Sequence, residues 1–230
     1  MKRSRINQLI QEADDLMRSF GFILPPFALW SPEEFMARKN KIARVVDAKL
    51  GWDITDYGTG EFEKTGLVLF TIRNGMPNGP SSGCKTYAEK IMISRRDQVS
   101  PMHRHIHKTE DIINRGGATL AIEMFESDAD GNIDRSAEVM VESDGVVQTL
   151  ESGNILKLAP GESVTLNPGN WHKFWGDGGD VLIGEVSTVN DDLHDNIFEL
   201  PLARFSEIDE DIAPTNLLVS DYETWGLNLR

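Results

Sequence analysis

The chain has 230 residues, with 23 Lys and Arg against 37 Asp and Glu, so its formal net charge is −14. This acidic balance argues against nucleic acid and anionic membranes as partners, because phosphate binding depends on Lys and Arg. A single cysteine, Cys84, excludes an internal disulfide and a cysteine-rich zinc site. No stretch of about 18 apolar residues could span a bilayer. Since no signal peptide is recognisable either, we expect a cytoplasmic protein.

The N-terminal part of the chain predicts two helices. Apolar residues at helical spacing run from Ile6 to Phe20. A second helix is expected to begin with a capping box, in which Ser31 caps the helix and Glu34 reaches back. We expect residues 1–60 to form a helical extension packed on another unit.

From about residue 66 the pattern changes to short β-prone segments, separated by turn signals rich in Gly, Pro and Asp. Many short strands at regular spacing are typical of an antiparallel sandwich or barrel, and closure of a barrel leaves an interior pocket. We therefore predict a mainly β fold with a barrel over residues 61–200. An acidic segment, 201–230, should contribute to the barrel or the pocket. The candidate strands cover residues 67–72, 87–94, 101–107, 118–126, 137–142, 155–159, 163–167, 171–175 and 181–189.

Three histidines and one glutamate carry the strongest signal of a functional site. His103 and His105 lie two apart, so on a strand their imidazoles share one face. Glu110 is an odd number of residues from both and can join them only after a turn or from the next strand. Further along the chain, a Pro-Gly turn would direct His172 to the same place. Such a set suits a divalent first-row ion but does not choose among Mn, Fe, Co, Ni and Zn.

This spacing resembles that of the cupin superfamily. The first cupin motif has two histidines around one residue, followed by a glutamate, and the second has a Gly, a Pro-Gly turn and a histidine. The resemblance implies a cupin-type antiparallel jelly-roll β-barrel with two N-terminal helices. It also implies a metal held by His103, His105, Glu110 and His172.

Two positions depart from the cupin motifs, and a second frame competes with the first. Asp97 stands where the first motif usually opens with Gly, and Gly176 stands where the second usually ends in Asn. His107 makes an alternative pair with His105, but its spacing to Glu110 is short. A lone pair of this kind is more often two strand histidines without a metal, whereas the complete set of spaced features favours a metal site.

An octahedral ion with four protein ligands keeps two adjacent positions open, where neighbouring oxygens of a sugar could chelate. The ion would polarise the carbonyl and stabilise the developing enediolate. A nearby base would then move the proton between C1 and C2. These residues therefore predict a metal-dependent aldose–ketose isomerase as one function.

Longer blocks resemble the bacterial D-lyxose ketol-isomerase family. The resemblance implies interconversion of D-lyxose with D-xylulose and of D-mannose with D-fructose, with Mn2+ as the preferred ion, a free monosaccharide as substrate and a homodimer. A phosphorylated sugar would need a basic cradle, for which Arg95 and Arg96 are candidates, and the acidic net charge disfavours it. The matching blocks are residues 50–58, 69–75, 87–91 and 110–117.

The groups that move the proton are predicted partly from this resemblance. Lys108 lies between two ligand positions, and a divalent cation nearby would push a lysine towards its neutral form, so that it exchanges protons near neutral pH. Lys90 lies within a matching block. The resemblance also points to acids late in the chain, and we choose Glu207 and Asp221 ahead of their acidic neighbours. The simpler interpretation of all four is solvated surface charge.

Two other functions use the same features. An iron(II) cupin dioxygenase could use the same four ligands, and a non-catalytic sugar-binding cupin needs only the pocket. The N-terminal helices lack a basic recognition surface, which disfavours a DNA-linked sugar sensor. Ketose formation in the absence of O2 would separate the isomerase from the dioxygenase.

Overall fold

The computed structural model describes residues 1–76 and 85–227, so Cys84 lies outside the described residues. Among these residues, no helix is both long enough and apolar enough to cross a bilayer. Three α-helices and three short 3-10 turns occur there. The helices are α1, Arg3–Ser19, α2, Pro32–Ala37, and α3, Ala43–Asp47, and the 3-10 turns cover Pro26–Leu29, Lys39–Lys41 and Val219–Asp221.

The first predicted helix is present as α1. Its buried residues include Ile6, Leu9 and Met17, which pack in one apolar cluster with Trp52 and Phe70. Burial of these side chains removes apolar surface from water and holds the helix on the sheet. The helical extension is therefore packed on the β-structure through a continuous core.

The second predicted helix has the expected capping box but is interrupted. Ser31 Oγ accepts a hydrogen bond from the Glu34 N–H at 3.3 Å, and the Glu34 carboxylate accepts one from the Ser31 N–H at 3.1 Å. The helix then breaks into α2, a 3-10 turn and α3. Arg38 and Lys41 are three residues apart, a spacing at which two like charges on a helix repel each other and weaken it.

The sheet of the described residues contains twelve strands, and all of their pairings are antiparallel. This confirms the predicted mainly β fold of antiparallel strands. The strands are β1, Gly51–Thr55; β2, Leu67–Arg73; β3, Tyr87–Ser94; β4, Val99–His105; β5, Glu110–Ser127; β6, Ile133–Asp134; β7, Val139–Ser143; β8, Val146–Leu150; β9, Ile155–Leu158; β10, Ser163–Leu166; β11, Trp171–Thr188; and β12, Asn196–Phe198.

Two 18-residue strands, β5 and β11, organise the barrel. They pair from Trp171 opposite Phe125 to Ser187 opposite Glu110. The first half of β11 also pairs with β4, and its second half pairs with β3. Strands predicted separately at 171–175 and 181–189 are thus one strand. The glycine-rich segment between them shifts the register between Asp177 and Val181 instead of reversing the chain.

The two departures from the cupin motifs fit the backbone found at those positions. Asp97 has φ +56°, the left-handed conformation that glycine adopts readily and that Asp tolerates better than most residues. A Cβ atom at Gly176 would overlap the carbonyl oxygen of Gly179, so the register shift in β11 leaves no room for a side chain there.

Gly117 occupies the corresponding irregularity of β5, with φ +98°, and a Cβ atom there would overlap the Asp180 carbonyl oxygen. Gly161 has nearly the same φ, +99°, but open space around it. We expect Gly161→Ala to cost about 1–3 kcal/mol of backbone strain. Gly117→Ala should cost about 1–3 kcal/mol more, because of the added overlap. Urea unfolding of both variants measures this difference, and equal destabilisation would contradict the close approach of β5 and β11.

Candidate active site

The strand pairing brings the predicted histidines together. Strand β4 carries His103 and His105, and β11 places His172 directly opposite His103. The ring centroids of His103 and His172 are 4.2 Å apart. Ligand atoms of all three imidazoles lie within 4.8 Å of one another. Two segments that are distant in sequence therefore converge on one point.

Glu110 joins the histidines because a turn separates it from β4. It is the first residue of β5. Its Oε1 lies 3.1 Å from His105 Nε2 and 3.3 Å from His172 Nε2. His107, the competing candidate, is exposed. The turn thus selects the frame of His103 and His105.

The imidazoles are oriented by their second nitrogens. His103 Nδ1 lies 2.8 Å from the Pro101 carbonyl oxygen, and His172 Nδ1 lies 3.1 Å from that of Asn170. A carbonyl oxygen only accepts hydrogen bonds, so in a neutral ring the proton is on Nδ1 and the lone pair on Nε2. Burial and the neighbouring imidazoles hold the pKa of His103 well below its usual range. Burial and the Lys108 charge lower the pKa of His105.

The converging atoms lack hydrogen-bond partners among the described residues. His105 Nε2, His172 Nε2 and Glu110 Oε1 are all buried, and although the two nitrogens lie 3.1 and 3.3 Å from the carboxylate oxygen, none of the three atoms makes a hydrogen bond of good geometry. An unsatisfied buried polar group costs about 1–3 kcal/mol, so such a cluster is unfavourable without a ligand. Burial acts to raise the pKa of Glu110, but Lys108 and His105 hold it well below its usual range. Neutral imidazoles beside an ionised carboxylate fit a divalent cation.

These atoms face a cavity that holds about 450 Å³ of space including its mouth. One part of its wall is apolar and belongs to the core of the barrel, and another part is charged. The apolar residues are Leu67, Leu69, Met92, Ile112, Phe174 and Phe198, and the charged residues other than Glu110 are Lys90, Lys108, Glu185, Asp192 and Arg204. More than half of the lining residues are polar or charged, so the cavity offers hydrogen-bond donors and acceptors to a polar small molecule.

Beyond Glu110, buried charges of alternating sign form a chain of contacts. Lys108 Nζ lies 2.6 Å from Glu110 Oε2 and 3.1 Å from Glu185 Oε1. Lys90 Nζ lies 3.4 Å from Glu185 Oε1 and 3.7 Å from Asp192 Oδ1. Each ammonium group therefore lies between two carboxylates, which offsets the free-energy cost of burying it.

Arg204 extends this chain from the C-terminal segment. Its Nη2 lies 3.1 Å from Asp192 Oδ1, and its Nη1 lies 2.7 Å from Asp53 Oδ2. Burial acts to lower the pKa of Arg204, but the carboxylates of Asp192 and Asp53 raise it above its usual value. Burial raises the pKa of Asp53. A residue from beyond the predicted barrel limits thus supplies a cation to the cavity wall.

Among the predicted proton-transfer residues, Lys108 and Lys90 line the cavity. Burial acts to lower the pKa of Lys108, but Glu110 and Glu185 raise it above its usual value.

Glu207 and Asp221 do not line the cavity. Glu207 is exposed, and the Asp221 carboxylate accepts hydrogen bonds from the Arg3 guanidinium at 2.8 and 3.0 Å. Asp221 therefore connects the C-terminal segment to α1. The geometry of the described residues gives no support to a role of either acid in proton transfer.

The sequence analysis missed three charged cavity residues, Glu185, Asp192 and Arg204. Simple alternation from His172 puts Glu185 on the opposite strand face, because the separation is odd. The register shift within β11 reverses that phase. Pairing of β11 with β3 places Glu185 opposite Lys90. The opposite charges of these two residues were the feature of the sequence that could have indicated that they meet.

Comparisons with known proteins agree with this geometry. The family model for D-lyxose isomerase matches residues 1–222. D-lyxose/D-mannose isomerases of Serratia proteamaculans and Escherichia coli O157:H7 are 48% and 45% identical to this chain, covering 96% of it and 98% of each relative. An X-ray structure of Cellulomonas parahominis L-ribose isomerase with L-psicose superposes with a TM-score of 0.60 at 16% identity, over 91% of this chain and 98% of that one.

The barrel, its polar cavity and these relatives define a sugar isomerase. The chain belongs to the D-lyxose isomerase family, since the family model and both relatives extend over nearly its whole length.

The metal site makes a direct prediction for His172. We expect His172→Ala to lose most bound divalent metal, because it removes one of the four predicted ligands. Removal of only the hydrogen-bond partner of a metal ligand typically lowers metal affinity by about 10–100-fold. Removal of the ligand itself should lower it further. Metal analysis after dialysis measures the bound metal. His107→Ala is the control, because His107 is the exposed alternative to the predicted ligands and its loss should leave the metal content unchanged. Full occupancy in His172→Ala would contradict the ligand assignment.

Proposed function

We propose that this protein interconverts D-lyxose with D-xylulose and D-mannose with D-fructose, using a divalent cation held by His103, His105, Glu110 and His172. The observation that carries the proposal is the cluster of buried, unpartnered ligand atoms, which opens on a cavity next to an acid–base pair. The relatives at 45–48% identity carry the name D-lyxose/D-mannose isomerase, and this supports the choice of sugars.

When bound, the cation would supply Lewis-acid polarisation of the sugar oxygens that it contacts. The reaction moves one proton from C2 to C1 and one from O2 to O1. Glu185, in contact with Lys108 at 3.1 Å, takes the proton from C2 of the aldose and returns it to C1 of the ketose. Lys108, which lies between the carboxylates of Glu110 and Glu185, gives a proton to O1 and receives one from O2.

The charge balance of the cavity supports a free sugar as substrate. The three cations in its wall, Lys90, Lys108 and Arg204, each already contact carboxylates. A phosphate group would need cations that are not neutralised in this way. Arg95 and Arg96 do not line the cavity, and Arg95 pairs with Glu12. Carboxylates and amides suit the hydroxyl groups of an unphosphorylated sugar.

The ion and the assembly are part of the same proposal. We propose Mn2+ as the preferred ion and a homodimer as the assembly, on the strength of the family resemblance. The donor set fits several first-row divalent ions, so reloading metal-free protein with each ion and comparing turnover identifies the preferred one. Light scattering after size exclusion gives the mass of the assembly.

Anaerobic turnover tests the proposed reaction. With Mn2+ and D-lyxose or D-mannose under nitrogen, we expect the corresponding ketose to form. In D2O, deuterium at C1 or C2 of the product would support the proton transfer. Protein that holds its metal and converts no aldose would refute the proposed function, and a requirement for O2 would favour the dioxygenase.

A second prediction concerns Glu185. We expect Glu185→Gln to lower kcat by about 10²–10⁴-fold, because the amide cannot accept the proton from carbon. Metal content and folding should persist, since Lys108 keeps Glu110 as a partner and Lys90 keeps Asp192. Steady-state kinetics with parallel metal analysis make the comparison. Glu123→Gln is the matched control on β5, where Glu123 pairs with Lys173 and does not line the cavity. Wild-type kcat in Glu185→Gln would remove Glu185 from the mechanism.

A further inference from the structure

A buried carboxylate behind the proposed metal site has no role in the mechanism described so far. Asp195 lies between β11 and β12, is 5% exposed and does not line the cavity. Its Oδ1 accepts hydrogen bonds from the N–H groups of Ile106, at 3.0 Å, and His107, at 2.7 Å. Its Oδ2 accepts one from the Lys108 N–H at 3.1 Å. One side chain thus pairs with three successive backbone donors.

These donors belong to the turn that connects β4 with β5. His105 ends β4 before the turn, Glu110 begins β5 after it, and Lys108 lies within it. The relative position of the two ligands therefore depends on the shape of this turn. The Ile106 N–H also donates to the Asp195 carbonyl oxygen at 3.2 Å. For the N–H groups of His107 and Lys108, the Asp195 carboxylate is the acceptor found among the described residues, and buried backbone donors need such a partner.

Asp195 also faces the one imidazole of the cluster that lacks a backbone acceptor. The Nδ1 atoms of His103 and His172 lie next to carbonyl oxygens, whereas His105 Nδ1 is buried and unpaired. Asp195 Oδ2 lies 3.8 Å from it. This is beyond hydrogen-bond distance, but a rotation of the ring or the carboxylate that moves the two atoms closer by less than 1 Å would form the bond. A ligating histidine generally donates its other N–H to a carboxylate, a carbonyl or water.

We propose that Asp195 is a positioning residue for the metal site. It fixes the turn between the ligands and holds His105 with Nε2 directed at the ion. This inference rests on the proposed metal-dependent function, but it makes a separate claim: a residue outside the cavity sets the affinity for the ion.

Asp195→Asn tests the claim, because the amide keeps the size of the side chain, loses its charge and offers only one acceptor oxygen to the turn. We expect the affinity for Mn2+ to fall by about 10–100-fold. The visible absorption spectrum of the Co2+-loaded protein should also change, because the orientation of His105 changes. Asp191→Asn removes a carboxylate from the same loop without touching the turn or a histidine ligand, and it should bind both ions like the wild type.

The measurements are isothermal titration of metal-free protein with Mn2+, Co2+ spectra, and circular dichroism of each variant. Unchanged Mn2+ affinity and an unchanged Co2+ spectrum in Asp195→Asn would overturn the inference, even if the thermal stability fell. If Asp195→Asn does not fold, Asp195→Glu replaces it: an altered Co2+ spectrum supports the inference, and a wild-type spectrum with wild-type affinity overturns it. Failure of the wild-type protein to bind either ion would instead refute the proposed metal-dependent function, and this inference with it.

Discussion

Hydrogen bonding between β5 and β11 along their whole length is the constraint on which the site depends. It brings His172 next to β4 and, further along the same strand, Glu185 next to Lys90. One predicted metal ligand, His172, and the proposed base, Glu185, therefore lie on two halves of one strand. Gly117 and Gly176, near the register shift between β5 and β11, allow the backbones to approach where a Cβ atom would not fit.

The cavity concentrates charge in a place where isolated charges are unfavourable. Seven ionisable groups alternate in sign from Glu110 to Asp53 through Lys108, Glu185, Lys90, Asp192 and Arg204. Replacing such buried pairs by apolar residues is often neutral or stabilising. A stability argument alone therefore does not account for this chain of charges. Its position in the wall of a sugar-sized cavity indicates chemistry, with proton donors and acceptors already in contact.

The site also shows how distant parts of the chain share one function. The extension provides Asp53 at the sheet edge, the barrel provides the ligands, and the segment after β12 provides Arg204. Arg3 of α1 forms an ion pair with Asp221 near the end of the described chain, so the N-terminal extension and the C-terminal segment also contact each other directly. The match to the D-lyxose isomerase family likewise extends over residues 1–222 rather than over the barrel alone.

The sequence by itself determined the features that depend on local pattern. These are the helical periodicity of α1, the capping box at Ser31, most strands, and the motif residues His103, His105, Glu110 and His172. Tertiary structure decided the rest. The alternation of side chains along a strand does not predict the position of Glu185, because a register shift inside β11 changes which residues face the cavity. That shift exists only once β11 pairs with β5. Arg204 and Asp192 lie in irregular segments without periodicity, so only the folded chain shows that they meet in the cavity, whereas Glu207 and Asp221 lie outside it.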